Sequence, residues 1–295
     1  MMRRREFIAA LAAAWPIAAE AQQSATPEIR THHAGSREPL AVPYGAGLKN
    51  SITALAARNN AIWCDTVCRA QDRPGEFHET LWFTRLGAPR FYPDVVTLAG
   101  VEAASVQLEA IAGLIASNRE KEWFVKDSFQ SLQLNSLGFK PLFDAEWIAM
   151  NGAPPGLKDN PPEYRSTVVT GEAGLIAWEQ SWAGEEANSP ADPSRVFKTR
   201  LLDDTNVVFV SIQGEGGSIA GGGILNRGAQ VIGLSNLFGS KLDLVWQRLT
   251  SMAGEIFPGL PLVGYEQGHQ LEAAKLAGFE SIGPLRIWRR RAATP

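Results

Sequence analysis

The stretch VVFVSIQGEGGSIAGGGILNRGAQVIGLSNLF, residues 207–238, decides the fold of this chain. Two apolar runs, 207–212 and 218–225, flank a Gly-Glu-Gly-Gly turn, and a third run, 231–237, follows Gly228. β-rich runs separated by glycine turns read as consecutive antiparallel strands. Outward from them, Leu242, Val245, Trp246, Leu249, Met252 and Ile256 recur at three-and-four spacing, so an amphipathic helix is expected up to Pro258-Gly259. A short strand at 261–265, a helix at 270–277 stopped by Gly278 and a last strand at 282–288 complete the half.

The preceding half repeats that order. The patterns predict a helix at 51–69, strands at 81–84 and 92–98, a helix at 101–115, a strand at 123–125, a helix at 129–137 stopped by Gly138, and a strand at 142–149. Phe124-Val125, Gly138-Phe139 and 141–148 mirror Leu262-Val263, Gly278-Phe279 and 282–288. An internal duplication accounts for the mirroring. The expected organisation is a signal-like segment at 1–21, a flexible leader at 22–47, a first domain at 48–150, a Gly/Pro-rich linker at 151–163 and a second domain at 164–295. The second domain opens with a strand at 166–169, a helix bearing Leu175, Ile176, Trp178 and Trp182, a break at 187–193 and a helix at 194–202.

The order hairpin, strand, helix, strand, helix, strand, carried by AGGGILNRGAQVIGLSNLF (220–238), NLFGSK (236–241), LVGYEQG (262–268) and LAGFESIGPLRIW (276–288), resembles the acyl-CoA N-acyltransferase (GNAT) superfamily. The resemblance covers about the C-terminal 130 residues, the size of one domain. It implies an α/β fold of tandem GNAT-like domains, each a twisted mixed sheet flanked by helices, with the first a degenerate copy. It also implies acetyl-CoA as cosubstrate, bound by Asn236, Leu237, Phe238, Gly239, Ser240 and Lys241. Direct transfer to an amine, a small molecule or a peptide, would follow, with backbone N–H groups of 236–238 holding the acyl carbonyl.

The residues supply a local reason for an anion site. A helix N-terminus presents unpaired N–H groups and a partial positive charge. Ser240 with Asp243 reads as a capping box there, and Lys241 falls in the first turn, where a bound anion would offset its unfavourable position on the dipole. The family's loop pattern is Arg or Gln, two residues, Gly, one residue, then Gly or Ala; only Gly239 keeps it. The first half's matching turn, 98–102, has no Ser, Thr or Asn cap and carries Glu102, so one cofactor site per chain is expected.

The family's usual acid is a tyrosine four residues before the Gly-Phe pair, a place held here by Ala274 and, in the first half, Leu134. Tyr265 or Ser235 is the substitute acid, and Glu266 or His269 the base acting through water. Gly214, Gly216, Gly217 and 221–223 read as a hairpin turn between two strands, not a nucleotide loop. Trp178, Trp182 and Trp246 read as core, and 289–291 as a solvated basic tail.

Composition bounds the rest. With 295 residues, 45% hydrophobic, and a net charge of −3, the chain offers no electrostatic case for nucleic acid. Cys64 and Cys68, four apart on a helix, suit buried thiols better than a disulfide, and no metal site is expected. The N-terminal Arg3-Arg4-Arg5, the apolar run 7–19 and Ala19-Glu20-Ala21 resemble a twin-arginine export signal, too short for a permanent span. Export sits awkwardly with acetyl-CoA, so the expected location is cytoplasmic, with a periplasmic alternative. Two other functions stay open: a GNAT-like protein that binds CoA without catalysis, and an exported solute-binding protein.

Overall fold

In the computed structural model, which describes residues 46–152, 163–184 and 195–292, the apolar runs join one mixed sheet of eleven strands. These are β1 (Glu76–Phe77), β2 (Leu81–Phe83), β3 (Val95–Thr97), β4 (Trp123–Asp127), β5 (Lys140–Met150), β6 (Arg165–Val168), β7 (Val207–Gln213), β8 (Ile219–Gly228), β9 (Val231–Gly239), β10 (Leu262–Glu266) and β11 (Glu280–Arg290). The helices are α1 (Ala46–Ala70), α2 (Ala104–Ser117), α3 (Gly171–Ala183), α4 (Leu242–Ile256) and α5 (Gly268–Leu276).

The spatial order is β1-β2-β3-β4-β11-β5-β10-β9-β8-β7-β6. Its central part reads the same from either direction once β3, β4 and β5 are exchanged for β9, β10 and β11. The pairs β3·β4 and β9·β10 are parallel, and the pairs between them antiparallel. Each half's final strand lies inside the other half's territory. β5 pairs with β10 on one edge (Trp147↔Tyr265) and with β11 on the other (Ala145↔Leu285). The two halves therefore share one hydrogen-bonded sheet and are interlocked.

Alternation along the strands assigns the two faces. Phe209, Ile224 and Phe238 pack under α1 and α3 with Trp63, Val67, Trp178, Trp182 and Phe197. Their neighbours Val210, Leu225 and Leu237 point the other way, into Trp246 and Leu249 of α4 and Leu271 and Ala274 of α5. α2 adds Ile111, Leu114 and Ile115 over Leu81, Val95 and Val125. The three expected core tryptophans are all buried, and burying a side chain of this size contributes roughly 1.5–3 kcal/mol.

Glycines 221–223 lie within β8 and not in the turn, which a short 3-10 segment, Glu215–Gly217, makes instead. Their missing side chains let helices close on both faces. A Cβ at Gly222 would overlap the Val210 carbonyl oxygen and stand 2.8 Å from Trp178 Nε1, and one at Gly223 would stand 2.5 Å from Leu249 Cδ1.

Two expected helices do not form. In place of 129–137, the Asp127 carboxylate accepts N–H bonds from Ser131 (3.1 Å) and Leu132 (2.9 Å), and Gln130 takes φ +51°. This side-chain turn competes with helix, leaving one 3-10 segment, Leu134–Leu137, which Gly138 ends at φ +82° as expected. In place of 194–202, whose first residue lies outside the described chain, Val196 N–H donates to Glu179 Oε1 (2.7 Å) and Arg195 pairs with the same carboxylate (3.1 Å). Only Thr199–Asp203 coils, as 3-10.

The basic tail is also corrected. Arg289 and Arg290 belong to β11, and Arg289 pairs with Glu122 at 2.6 Å. Of the expected leader, 46–47 already belong to α1; the signal-like segment and most of the linker fall outside the described residues. Among the described residues no helix is long and apolar enough to cross a membrane. Cys64 and Cys68 are buried free thiols, and burial pushes Cys64 up to about 11.

Candidate active site

β9 and β10 pair in register at Ile232↔Leu262 and Gly233↔Val263. Beyond these, β9 stays with β8 as far as Gly239, while β10 stays with β5 as far as Glu266↔Glu146. Parallel strands that part mid-sheet leave a wedge whose backbone edges are free of each other. β9 is bent on its side of the wedge: Ser235 faces Ile224 and Phe238 faces Gly222, so Asn236 and Leu237 together oppose Gly223. This is a β-bulge, and Asn236 at φ +55° supplies the left-handed residue that asparagine tolerates better than most.

The wedge opens into a cleft that gathers several of the expected residues. Ser235, Asn236, Tyr265 and Glu266 line it together, with Leu234. The Ser235 hydroxyl is buried without a hydrogen-bond partner among the described residues. Tyr265 stands edge-on to Trp147, with centroids 5.3 Å apart. His269 is exposed at the start of α5 and is not brought into the cleft.

The expected cofactor loop is mostly strand. Asn236, Leu237, Phe238 and Gly239 end β9, so only Ser240 and Lys241 connect it to α4. The capping box is absent: Lys241, not Ser240, is the N-cap, and no side chain caps the helix. Gly239, at φ +138°, turns the chain so that the helix begins one residue later than the sequence pattern suggests. The Lys241 ammonium lies 4.8 Å from the centroid of Tyr164. A hydrogen bond with Tyr164 raises its pKa.

The first half contributes residues that sequence reasoning missed. Asn60, Trp63 and Cys64 of α1, Tyr92 before β3 and Lys126 of β4 line the same cleft. Tyr92 donates its hydroxyl to Asn236 Oδ1 at 3.4 Å, bracing the bulge. Burial holds its pKa well above the usual value for tyrosine, so it stays a neutral donor. Lys126 was legible only as a charge at the end of an apolar run, since the expected strand stopped at residue 125.

The matching wedge of the first half is bridged by a hydrogen bond at its base, and beyond that bond residues 98–102 line a separate cavity of about 510 Å³ with Phe129, Ser131 and 282–284. β3 and β4 pair at Val95↔Val125 and Val96↔Lys126, and then Ser128 N–H donates to Thr97 Oγ1 at 2.8 Å across the gap. Trp147 Nε1 donates to Ser128 O at 2.7 Å, and Glu102 Oε1 accepts the Gly100 N–H at 2.9 Å, so the turn's own carboxylate takes one of its N–H groups. The usual acid position is buried in both halves, at Ala274 in the second and Leu134 in the first. Among the described residues no group of His, Cys, Asp and Glu suits a metal ion.

No family model matches the sequence, and neither does any curated protein sequence. Solved structures do match. A GCN5-related N-acetyltransferase from Kribbella flavida superposes with a TM-score of 0.54 at 13% identity, over 81% of this chain and 96% of its own. A conserved protein of unknown function from Staphylococcus epidermidis gives 0.52 at 8% identity, over 75% and 95%. A GCN5-related N-acetyltransferase from Sphaerobacter thermophilus gives 0.48 at 12% identity, over 82% and 95%. The Kribbella flavida superposition shows that this chain has the fold of that GCN5-related N-acetyltransferase over 81% of its length.

Proposed function

We propose that the chain is an N-acyltransferase that takes acetyl-CoA as cosubstrate at one site, the wedge between β9 and β10. The observation that carries this reading is the bulged, unpaired edge of β9 leading directly into the N-terminus of α4. Such an edge offers N–H groups of 236–238 to an acyl carbonyl, and the first turn of α4 offers its own to a diphosphate. Ser240 and Lys241 would lie beside the diphosphate, and acetyl-CoA would supply an activated acyl group. The chain's own residues would position an amine in the cleft. Glu266 would relay its proton through water, and Tyr265 or Ser235 would hold a proton near the departing sulfur.

The same reading takes residues 48–150 as a degenerate second copy, joined by 151–163 to the catalytic domain at 164–295. The exchange of β5 and β11 across the centre supports it, as does the turn at 98–102, where Glu102 takes the Gly100 N–H. We place the protein in the cytoplasm, where acetyl-CoA is made. Fractionation with a C-terminal epitope tests this, since recovery in the periplasm would favour the export signal.

The experiment for activity is a free-thiol release assay with acetyl-CoA and a panel of small amines and peptides, beside a thermal shift with acetyl-CoA alone. A second reading, CoA binding without catalysis, draws support from Ala274, because the usual acid position is sealed in the core. A shift in melting temperature without thiol release would favour it; no shift would remove both.

A further inference from the structure

Lys126 has no task in the reaction as drawn above. It is only 2% exposed, on β4 between Val125 and Asp127. Lysine is almost never this buried without an anionic partner, because removing an ammonium from water is costly. Here Nζ donates to Asn60 Oδ1 at 2.7 Å and stands 4.1 Å from the Tyr265 ring centroid. No carboxylate among the described residues makes an ion pair with it. The amide oxygen and the ring face are both neutral, so they satisfy one N–H and part of the field, while Glu266, the carboxylate that lines the same cleft, is the group assigned above to the amine's proton. The ammonium's charge is felt locally: it lowers the Cys64 pKa against the larger upward push of burial.

We propose that Lys126 is the docking point for a carboxylate on the acceptor, so that the acceptor is an amine that also carries a carboxylate, an amino acid. The inference rests on the acyl-transfer reading for the amine. The anion site itself stands on Lys126, Asn60 and Tyr265. An ammonium is a compact point charge suited to one carboxylate oxygen, and its neutral neighbours leave the counter-charge to the ligand. Asn60 fixes the ammonium from α1 and Tyr265 from β10, so the site exists only because the two halves interlock. Lys126 is a specificity residue in this account and takes no part in bond making.

The test uses the whole chain and paired probes: a set of N-acetyl amino acids and their carboxamides, by calorimetry without CoA, and the free amino acids and their amides in the thiol-release assay. The acid should bind about tenfold or more tighter than its amide, as expected of a charge-assisted hydrogen bond. Lys126→Met should abolish the preference, and Lys126→Arg should keep part of it. Asn60→Asp should abolish it too, by placing a carboxylate beside Nζ, and should leave the protein folded even if Lys126→Met does not fold. Equal binding of acid and amide, binding of neither, or a preference that survives both substitutions overturns the proposal. If the acid preference holds but acetyl-CoA does not bind, the anion site stands and the acyl-transfer reading falls; thiol release indifferent to the carboxylate gives the reverse.

Discussion

Replacing Gly222 with alanine tests the packing that brings α3 onto the sheet behind the site. The new methyl would overlap the Val210 carbonyl oxygen, 2.8 Å from Trp178 Nε1 and 3.0 Å from Phe238 Cε1. Val210 O is also the acceptor of the Trp178 indole N–H, at 2.9 Å, and both residues are fully buried. Two costs follow. Overpacking a tight core costs about 1–3 kcal/mol, and leaving a buried donor or acceptor unsatisfied about 1–3 kcal/mol, so Gly222→Ala should destabilise by about 2–6 kcal/mol. Gly113→Ala is the control. Gly113 is exposed within α2 with nothing within 4 Å of its added Cβ, so alanine should stabilise by about 0.5–1 kcal/mol. Equilibrium unfolding in urea, followed by circular dichroism and tryptophan fluorescence, measures both. A Gly222→Ala variant within about 0.5 kcal/mol of the parent, the scale of an ordinary surface change, would refute the close-packing argument.

Asn236→Ile puts a β-branched residue into left-handed backbone and removes the partner of the Tyr92 hydroxyl, so acetyl-CoA binding should weaken about five- to thirtyfold, as a strain of about 1–2 kcal/mol implies; unchanged affinity by calorimetry would remove the bulge from the site. Ala274→Tyr should lower stability by about 1–3 kcal/mol without raising turnover, since that position is sealed between α4 and the sheet; a gain in thiol release would show that the position reaches the site. With Cys64 pushed up to about 11 and Cys68 also raised by burial, thiol-reactive dye at pH 8 should label the native protein on the order of 10² times more slowly than the unfolded chain. Labelling should quicken as pH rises toward the raised values, and fast native labelling at pH 8 contradicts their burial. The isolated segment 164–295 lacks β5, the common neighbour of β10 and β11, and should fail to unfold cooperatively by circular dichroism, whereas the two halves co-expressed should co-purify.

Local pattern carried most of the architecture. The three runs at 207–237 became β7, β8 and β9, the Leu242-to-Ile256 periodicity became α4, and Gly138 and Gly278 ended their segments in left-handed backbone. What depended on distant partners stayed hidden. The 194–202 helix was lost to Glu179, a distant competitor for a backbone N–H, whereas the 129–137 helix was lost to a local one, the Asp127 carboxylate, which the apolar periodicity gave no weight. The glycines at 221–223 looked like a turn because sequence spacing does not reveal that Trp178 and Leu249 press on opposite faces of one strand.

The candidate site was half legible. Ser235, Asn236, Tyr265 and Glu266 do converge, whereas Ser240 and Asp243 do not cap and His269 points away. Asn60, Tyr92 and Lys126 reach the cleft only through the interlocking of the halves. Reading the chain as two consecutive domains gave no reason to look for them there.

The central claim is that the parted edges of β9 and β10 bind acetyl-CoA, and titration calorimetry of the whole chain tests it most directly. The account predicts saturable heat with one ligand per chain, weakened by Asn236→Ile. Absence of heat at about millimolar ligand, where even a weak site would fill, from protein that unfolds cooperatively would contradict it.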